Sequence, residues 1–406
     1  MSETSMTSKQ LNGRVALLTT TRLVMTSSVR MVYPFLAVFA NNLQVDISKI
    51  SLAIGFSFVA SAAAPFLAPI ADRKGRKTGM LLGIGIFVVG TLLAGLLPNY
   101  TTLFLMILLG NLGNNLFLPA VQAYVGDNVR YEKRGLYLAI TEIAWALSFV
   151  ILVPLAGWII ERSTWYAPFI FIGAAGLVMM VLVWRYLPSD HPAESPEGNI
   201  FKNFGKIFTT KAALLGFAFA LFICAANEVV NVVFGVWIQS SYGVLIAALG
   251  AATLVIGIAE LTGEGLTAYL ADHLGKQKSV ALGLILNTVT AVALPLFSRS
   301  LTGAFIWLFL FYMTFELAII SSLPLMTEVF PEARATLMAL LIAAFSLGRA
   351  LGDLIAPALF ANGILTNALV TAGMNILALL VLSLIHLPRR EVVGEVESSS
   401  TDTPGL

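Results

Sequence analysis

Ala68-Pro-Ile-Ala-Asp-Arg-Lys-Gly-Arg-Lys77 has an echo in Ala268-Tyr-Leu-Ala-Asp-His-Leu-Gly-Lys-Gln277, which sets Asp72 and Asp272, and Gly75 and Gly275, at one offset of 200 residues. The same offset relates Glu132 and Arg134 to Glu332 and Arg334, so two separate charged turns agree on a single register. One half of the chain is a copy of the other.

Around these turns lie apolar runs. The first set falls roughly at 14 to 40, 47 to 71, 78 to 98, 101 to 126, 135 to 160 and 166 to 187, each near the twenty residues a bilayer requires. A polar stretch, 188–210, precedes a second set roughly at 211 to 240, 245 to 271, 279 to 297, 303 to 327, 335 to 361 and 367 to 387. The chain is expected to be an all-α integral membrane protein of twelve transmembrane helices in two pseudo-symmetric six-helix halves, 1–187 and 211–388. A cytoplasmic linker, 188–210, joins them, and a disordered cytoplasmic tail, 389–406, follows. Two parallel repeats of this kind imply a ligand site between the halves near the midplane.

Composition agrees. Of 406 residues, 58% are hydrophobic and 11% charged, against about a quarter charged in a soluble domain. The mean hydropathy of +0.88 is sustained along nearly the whole chain, which excludes a soluble domain with one anchor. A net charge of +2, with the basic residues in short loops, gives no case for a nucleic-acid partner. The single cysteine, Cys224, excludes an intramolecular disulfide. The apolar run after Arg14 is longer than a signal-peptide core and has no small-residue cleavage pattern before Tyr33, so it is read as a retained first span.

With the N-terminus placed in the cytoplasm, all but six of the 24 Lys and Arg residues fall on cytoplasmic segments. Three lie outside (Lys49, Arg162, Arg299) and three within spans (Arg22, Arg30, Arg349). The positive-inside rule then puts both termini in the cytoplasm, and a bacterial inner membrane is the expected location.

The segment Asp72-Arg73-Lys74-Gly75-Arg76-Lys77, its echo from Asp272 to Lys276, and the loop pair around Arg134 and Arg334 resemble the major facilitator superfamily over essentially the whole chain. That family's signature loop normally begins with Gly four residues before the Asp, where this sequence has Ala68 and Ala268. The resemblance implies that Asp72 meets the cytoplasmic start of the eleventh span and helps hold that side shut. A carboxylate at a helix N-terminus is a favourable contact, up to about 2 kcal/mol when partly buried. Gly75 permits the tight turn, and Arg73, Arg76 and Lys77 can meet carboxylates or lipid phosphates. Gly275, Asp272, Arg134, Arg334, Arg349 and Asp353 complete the expected conformational latch.

An ionisable residue inside a span is a functional candidate by default, because a charge at the bilayer centre costs about 2.5–3.5 kcal/mol on insertion scales. Thr19, Arg22, Thr26, Arg30 and Tyr33 share one sector of the first span and should face a watery cavity. The offset maps Arg30 to position 230, beside Glu228, which makes an Arg30–Glu228 charge switch the leading expectation, with a permanent buried ion pair as its alternative. Arg349 and Asp353, at i and i+4, are expected to satisfy each other on one helix. Glu260 and Glu264, also four apart, cannot both ionise easily, so one is expected to hold a proton. Glu142 and Glu316 carry the same ambiguity between proton exchange and a hydrogen-bonded structural acid. Asn111, Asn114, Asn115, Asn227 and Asn231 add neutral hydrogen-bonding groups on spans that line the cavity in the family the chain resembles.

Antiporters of that family usually carry Gly-Pro-x-x-Gly-Gly in the fifth span. Here Pro154 and Gly157 remain and the flanking glycines do not. Proton-coupled efflux of a small amphipathic or drug-like solute is the first expectation. Uptake symport of a small organic anion or sugar, with Arg22 and Arg30 as anion ligands, is the second, and a non-transporting membrane sensor or scaffold the third. No metal-ligand spacing, phosphate-binding loop or nucleophile elbow is present, so neither an enzyme nor a cofactor is expected. The expected energy source is an ion gradient, H⁺, and the expected partners are the solute and membrane lipid, with the protein a monomer.

Overall fold

In hydrocarbon every backbone N–H and C=O must be satisfied within its own segment, and the leucine-, alanine- and valine-rich runs of this chain answer by forming helices. A computed structural model describes residues 8–63, 75–188, 200–330 and 334–385. The first half contains α1 (Ser8–Arg30), α2 (Leu36–Leu43), α3 (Ile47–Ser61), α4 (Arg76–Leu96), α5 (Tyr100–Asn128), α6 (Tyr131–Leu147), α7 (Val153–Arg162) and α8 (Ala167–Tyr186). After α9 (Ile200–Thr209), the second half contains α10 (Lys211–Asn231), α11 (Phe234–Tyr242), α12 (Ile246–Leu274), α13 (Lys276–Phe297), α14 (Leu301–Met326), α15 (Arg334–Phe360) and α16 (Ile364–Leu384).

Among the described residues ten spans are long and apolar enough to cross a membrane, or eleven if α2 and α3 are joined. Those two bend by 118° at their break, which is a reversal of direction rather than one crossing. The chain instead runs from α1 into α2 through turn bonds such as Met31 N–H to the Ser27 carbonyl and Phe39 N–H to that of Phe35. The α1–α2 segment and α3 are thus consistent with the first two of twelve. Composition alone does not mark α1 as a span because it carries the polar stripe expected from the sequence. The 188–210 stretch, expected as a polar linker, also holds α9, whose apolar positions recur at helical spacing; Ile207 is buried against the second half.

The repeat is visible in the backbone. Gly75 (φ 89°, ψ 153°) caps α4, and Gly275 (φ 82°, ψ 156°) caps α13 in the same conformation. Gly83 seats on α5, where a Cβ would lie 2.6 Å from the Gly113 carbonyl; Gly283 seats on α14, where it would lie 2.7 Å from Ala318 N. Arg76 pairs with Asp127 at 3.4 Å and Lys276 with Glu328 at 2.6 Å. The helix breaks after Arg30 and after Asn231 also correspond. Nothing lies within 4 Å of a Cβ built on Gly75 or Gly275, so alanine there meets backbone strain alone, about 1–3 kcal/mol. Gly75→Ala and Gly275→Ala should each lower the thermal midpoint in detergent. Gly126→Ala, at an equally open position inside α5, should raise it, adding up to about 1 kcal/mol of stability.

The halves meet along α3 with α15, along α12 with α6 and α7, and through α2 with α11. These contacts occupy the middle of the bundle and the end remote from Ser8. At that far end Gly235 lies against Pro34. Toward the near end Gln122 and Glu142 of one half are exposed or half-exposed, as is Glu264 of the other.

Candidate transport pathway

The pathway is built on a bent helix. Pro154 has no N–H and its ring crowds the carbonyl of Val150, so a regular α-helix cannot run through the fifth apolar segment. A π-helical turn, Ser148–Leu152, absorbs the mismatch between α6 and α7, with the Val153 N–H bonded back to the Ser148 carbonyl. Such turns disturb the helical ladder and recur at functional sites. Here the Trp145 carbonyl accepts from the Ser148 hydroxyl at 2.6 Å and from Arg30 Nη1 at 2.5 Å.

Arg30, the last residue of α1, reaches across to the other half. Its Nη2 donates to Glu260 Oε1 at 2.5 Å and its Nη1 to Oε2 at 3.1 Å, with a further bond to Ser148 Oγ at 3.2 Å. The Trp145 and Phe149 rings lie 4.2 and 3.5 Å from the guanidinium carbon. Both charged groups are buried, and the forked geometry is the strong form of this pair. Gly257, one turn before Glu260, makes the approach possible, since a Cβ there would lie 2.8 Å from the Ala146 carbonyl and 3.1 Å from Val150 N. The expected Arg30–Glu228 pair is therefore not formed: the close α12 seam gives Arg30 a nearer carboxylate.

Glu228 instead takes Arg349, Nη1 to Oε1 at 3.0 Å. Its other oxygen accepts from Asn231 Nδ2 at 2.7 Å, and Asn231 Oδ1 accepts from the Tyr312 hydroxyl at 2.7 Å. This corrects the expected Arg349–Asp353 pair. Glu228 offers a carboxylate hydrogen-bonded on both sides, whereas neither oxygen of the fully buried Asp353 has a hydrogen-bond partner. Gly352 sits against Glu228, with 2.6 Å from its built Cβ to the Glu228 Cβ, so α10 and α15 are close enough for Arg349 to reach over.

A third pair lies nearer the Ser8 end of α1. Arg22 donates Nη2 to Glu142 Oε2 at 2.7 Å and Nη1 to the Thr141 carbonyl at 2.9 Å. Arg22 is buried, while the Glu142 side chain is 44% exposed, so this pair borders the accessible space. Among the described residues Glu264 and Glu316 have neither a hydrogen bond nor an ion pair, although both lie within charge range of Glu260. The Tyr33 hydroxyl is buried without a partner, within charge range of Glu228, Asp353, Arg349 and Arg30. Asn111 donates to Ser57 at 2.7 Å, tying α5 to α3. Asn114 is half-buried and makes no hydrogen bond among the described residues.

The expected latch is less complete. Asp72 and Arg73 lie outside the described residues, as do the side chains of Asp272 and Arg334. Arg76 pairs with Asp127, and Arg134 Nε donates to the Val129 carbonyl at 3.0 Å, closing the end of α5. Arg349 and Asp353 belong to the interior instead. Trp145, Ser148, Phe149 and Tyr312, none of which was singled out from the sequence, all touch the charged network. Pro154 inside an apolar run was the available signal for the first three.

Known proteins agree with this architecture. A sequence model of the Major Facilitator Superfamily matches residues 18–327 and 217–404. Bacillus subtilis YceJ, an uncharacterized MFS-type transporter, is 28% identical over 318 residues, 76% of this chain and 78% of that protein. Multidrug resistance protein MdtG of Citrobacter koseri is 28% identical over 275 residues, 64% of this chain and 67% of that one. Among solved structures, a D-xylose–proton symporter superposes with a TM-score of 0.77 at 14% identity, over 93% of this chain and 98% of the symporter. At that identity the likeness speaks for the fold. The chain is a multi-pass integral membrane protein and belongs to the major facilitator superfamily of transporters.

Proposed function

We propose that the protein exports a small amphipathic, drug-like solute in exchange for protons, by alternating access to a site between its halves. The supporting observation is the pairing of interior charges. Arg22, Arg30 and Arg349 each hold one glutamate, Glu142, Glu260 and Glu228. Glu264, Glu316 and Asp353 are left without a cation among the described residues. An unpaired charge at the bilayer centre costs about 2.5–3.5 kcal/mol, so three such carboxylates together call for protons or for a cationic group on the solute. The multidrug resistance named for MdtG of Citrobacter koseri and of Proteus mirabilis supports a drug-like solute and the outward direction.

With the positive-inside orientation, the far end, where Gly235 packs on Pro34, is extracellular, and Gln122, Glu142 and Glu264, exposed or half-exposed, lie toward the cytoplasmic end, which suits loading of a solute for export. Bacterial relatives support a cytoplasmic membrane, and one chain carries the whole pathway, which supports a monomer as the working unit. The anion-symport reading loses its ligands, because Arg22 and Arg30 already donate to glutamates and backbone carbonyls.

The test uses purified protein in liposomes with a trapped pH dye, challenged with lipophilic cations, organic anions and sugars. Cation-driven proton movement in the opposite direction is expected, severely reduced in Glu264→Gln and unchanged in Glu161→Gln, a surface control. Proton movement alongside an anion or sugar, or none with any compound, would overturn the reading.

A further inference from the structure

Asp353 sits in an unusual place. It lies one turn beyond Arg349 on α15, fully buried, with no donor to either carboxyl oxygen. Its backbone carbonyl accepts from the Ser51 hydroxyl of α3. Gly55 of α3 packs on the same turn, its built Cβ 3.2 Å from the Ala350 carbonyl and 3.4 Å from the Asp353 Cβ. Asp353 therefore occupies the seam between the halves, whereas Glu228, the present partner of Arg349, lies inside the second half. At i and i+4 the two side chains are neighbours, with Cβ atoms about 5–6 Å apart. A change of side-chain rotamer would carry the guanidinium from one acid to the other with the backbone unmoved, which suits a helix held tightly by Gly352 against α10.

We propose that Asp353 is a second seat for Arg349, and that Glu228 and Asp353 exchange it when a proton arrives. This rests on the proton-coupled reading above. In the state shown Glu228 is the paired carboxylate, and Asp353 is accommodated as the neutral acid, the form a buried carboxyl without a donor can take. A proton binding Glu228 Oε1 breaks the bond to Arg349 Nη1. Arg349 turns to Asp353, whose own proton leaves, and the new ion pair forms there. One proton is bound and one released, and the interior charge is conserved. Its location is not: an ion pair now stands in the α3–α15 seam, beside Ser51 and Gly55 of α3. The seam that joins the halves is loosened by that pair, which converts proton arrival into movement.

The other groups facing this exchange are few. Glu228 meets Arg349 and Asp353 from α15, Tyr33 and Arg30 from the first span, Tyr312 of α14 through Asn231, and Cys224 on its own helix. Arg349 also lies within charge range of Glu316 on α14.

Of the seven aspartates, Asp353 alone falls inside an apolar run of the sequence. Infrared difference spectra between the parent and its variants, each the full chain in lipid nanodiscs with aspartate carboxyls isotopically labelled, read it directly. The expected result is a protonated-aspartate carbonyl band that Asp353→Asn removes and that Glu228→Gln also removes, because Arg349 is then released to Asp353. Because one proton is bound for each one released, the band in the unmutated protein should not change with pH. An aspartate band that persists in Glu228→Gln, or that grows as the pH falls, would overturn the exchange. These spectra need no solute and no transport, so failure of proton-coupled export in liposomes would be seen separately.

Discussion

Arg30→Met is expected to abolish transport and to destabilise the folded protein by about 3–5 kcal/mol, the usual cost of leaving one member of a buried ion pair alone. Glu260 loses both of its hydrogen bonds, and the Trp145 carbonyl and Ser148 hydroxyl each lose a donor. The double variant Arg30→Met/Glu260→Gln removes the stranded charge and should recover most of the stability without recovering transport. Thermal unfolding in detergent and solute efflux from liposomes separate the two effects. Transport surviving in Arg30→Met would show that the pair across the halves has no part in the cycle.

Gly235→Leu should be the next most severe change. A Cβ at this position would lie 2.3 Å from the Pro34 carbonyl oxygen and 2.8 Å from two further Pro34 backbone atoms, none of which can give way as a flexible side chain would. The larger side chain wedges the halves apart where they close the far end, and overpacking of this kind costs about 1–3 kcal/mol in that state. The alternative state, open at the far end, bears no such cost. The variant should fold, lose transport, and expose Val38→Cys, otherwise buried on α2, to a membrane-impermeant maleimide in a Cys224→Ala background. Unchanged labelling would mean that the far-end contact does not report closure.

Much of this fold was legible because its signals are local. The Asp72 and Asp272 turns fixed the register of the repeat, and the structure repeats it in the capping glycines, in Gly83 and Gly283, and in the ion pairs of Arg76 and Lys276. The polar stripe of the first span likewise carries Arg22 and Arg30 into the interior network. Partners were not legible. Whether Arg30 meets Glu228 or Glu260 depends on how closely α12 approaches α6, and that is set by Gly257 against backbone atoms some hundred residues away. Spacing along one helix brought Arg349 and Asp353 together on paper, but Gly352 admits α10 and offers Arg349 a better-bonded carboxylate. The helix in the linker was hidden by its charges, since Lys202 and Lys206 drew attention from the apolar positions between them.

Proton-driven alternation is tested most directly by the distance across the far end, measured by pulsed electron paramagnetic resonance between spin labels at Asn41 and Ser241, both exposed there. Replacing Glu260 by Gln removes the ion pair that joins the halves, so the distance should be longer in that variant than in the parent. A distance that is the same in the parent and in Glu260→Gln would contradict the coupling of interior carboxyls to the opening of the protein.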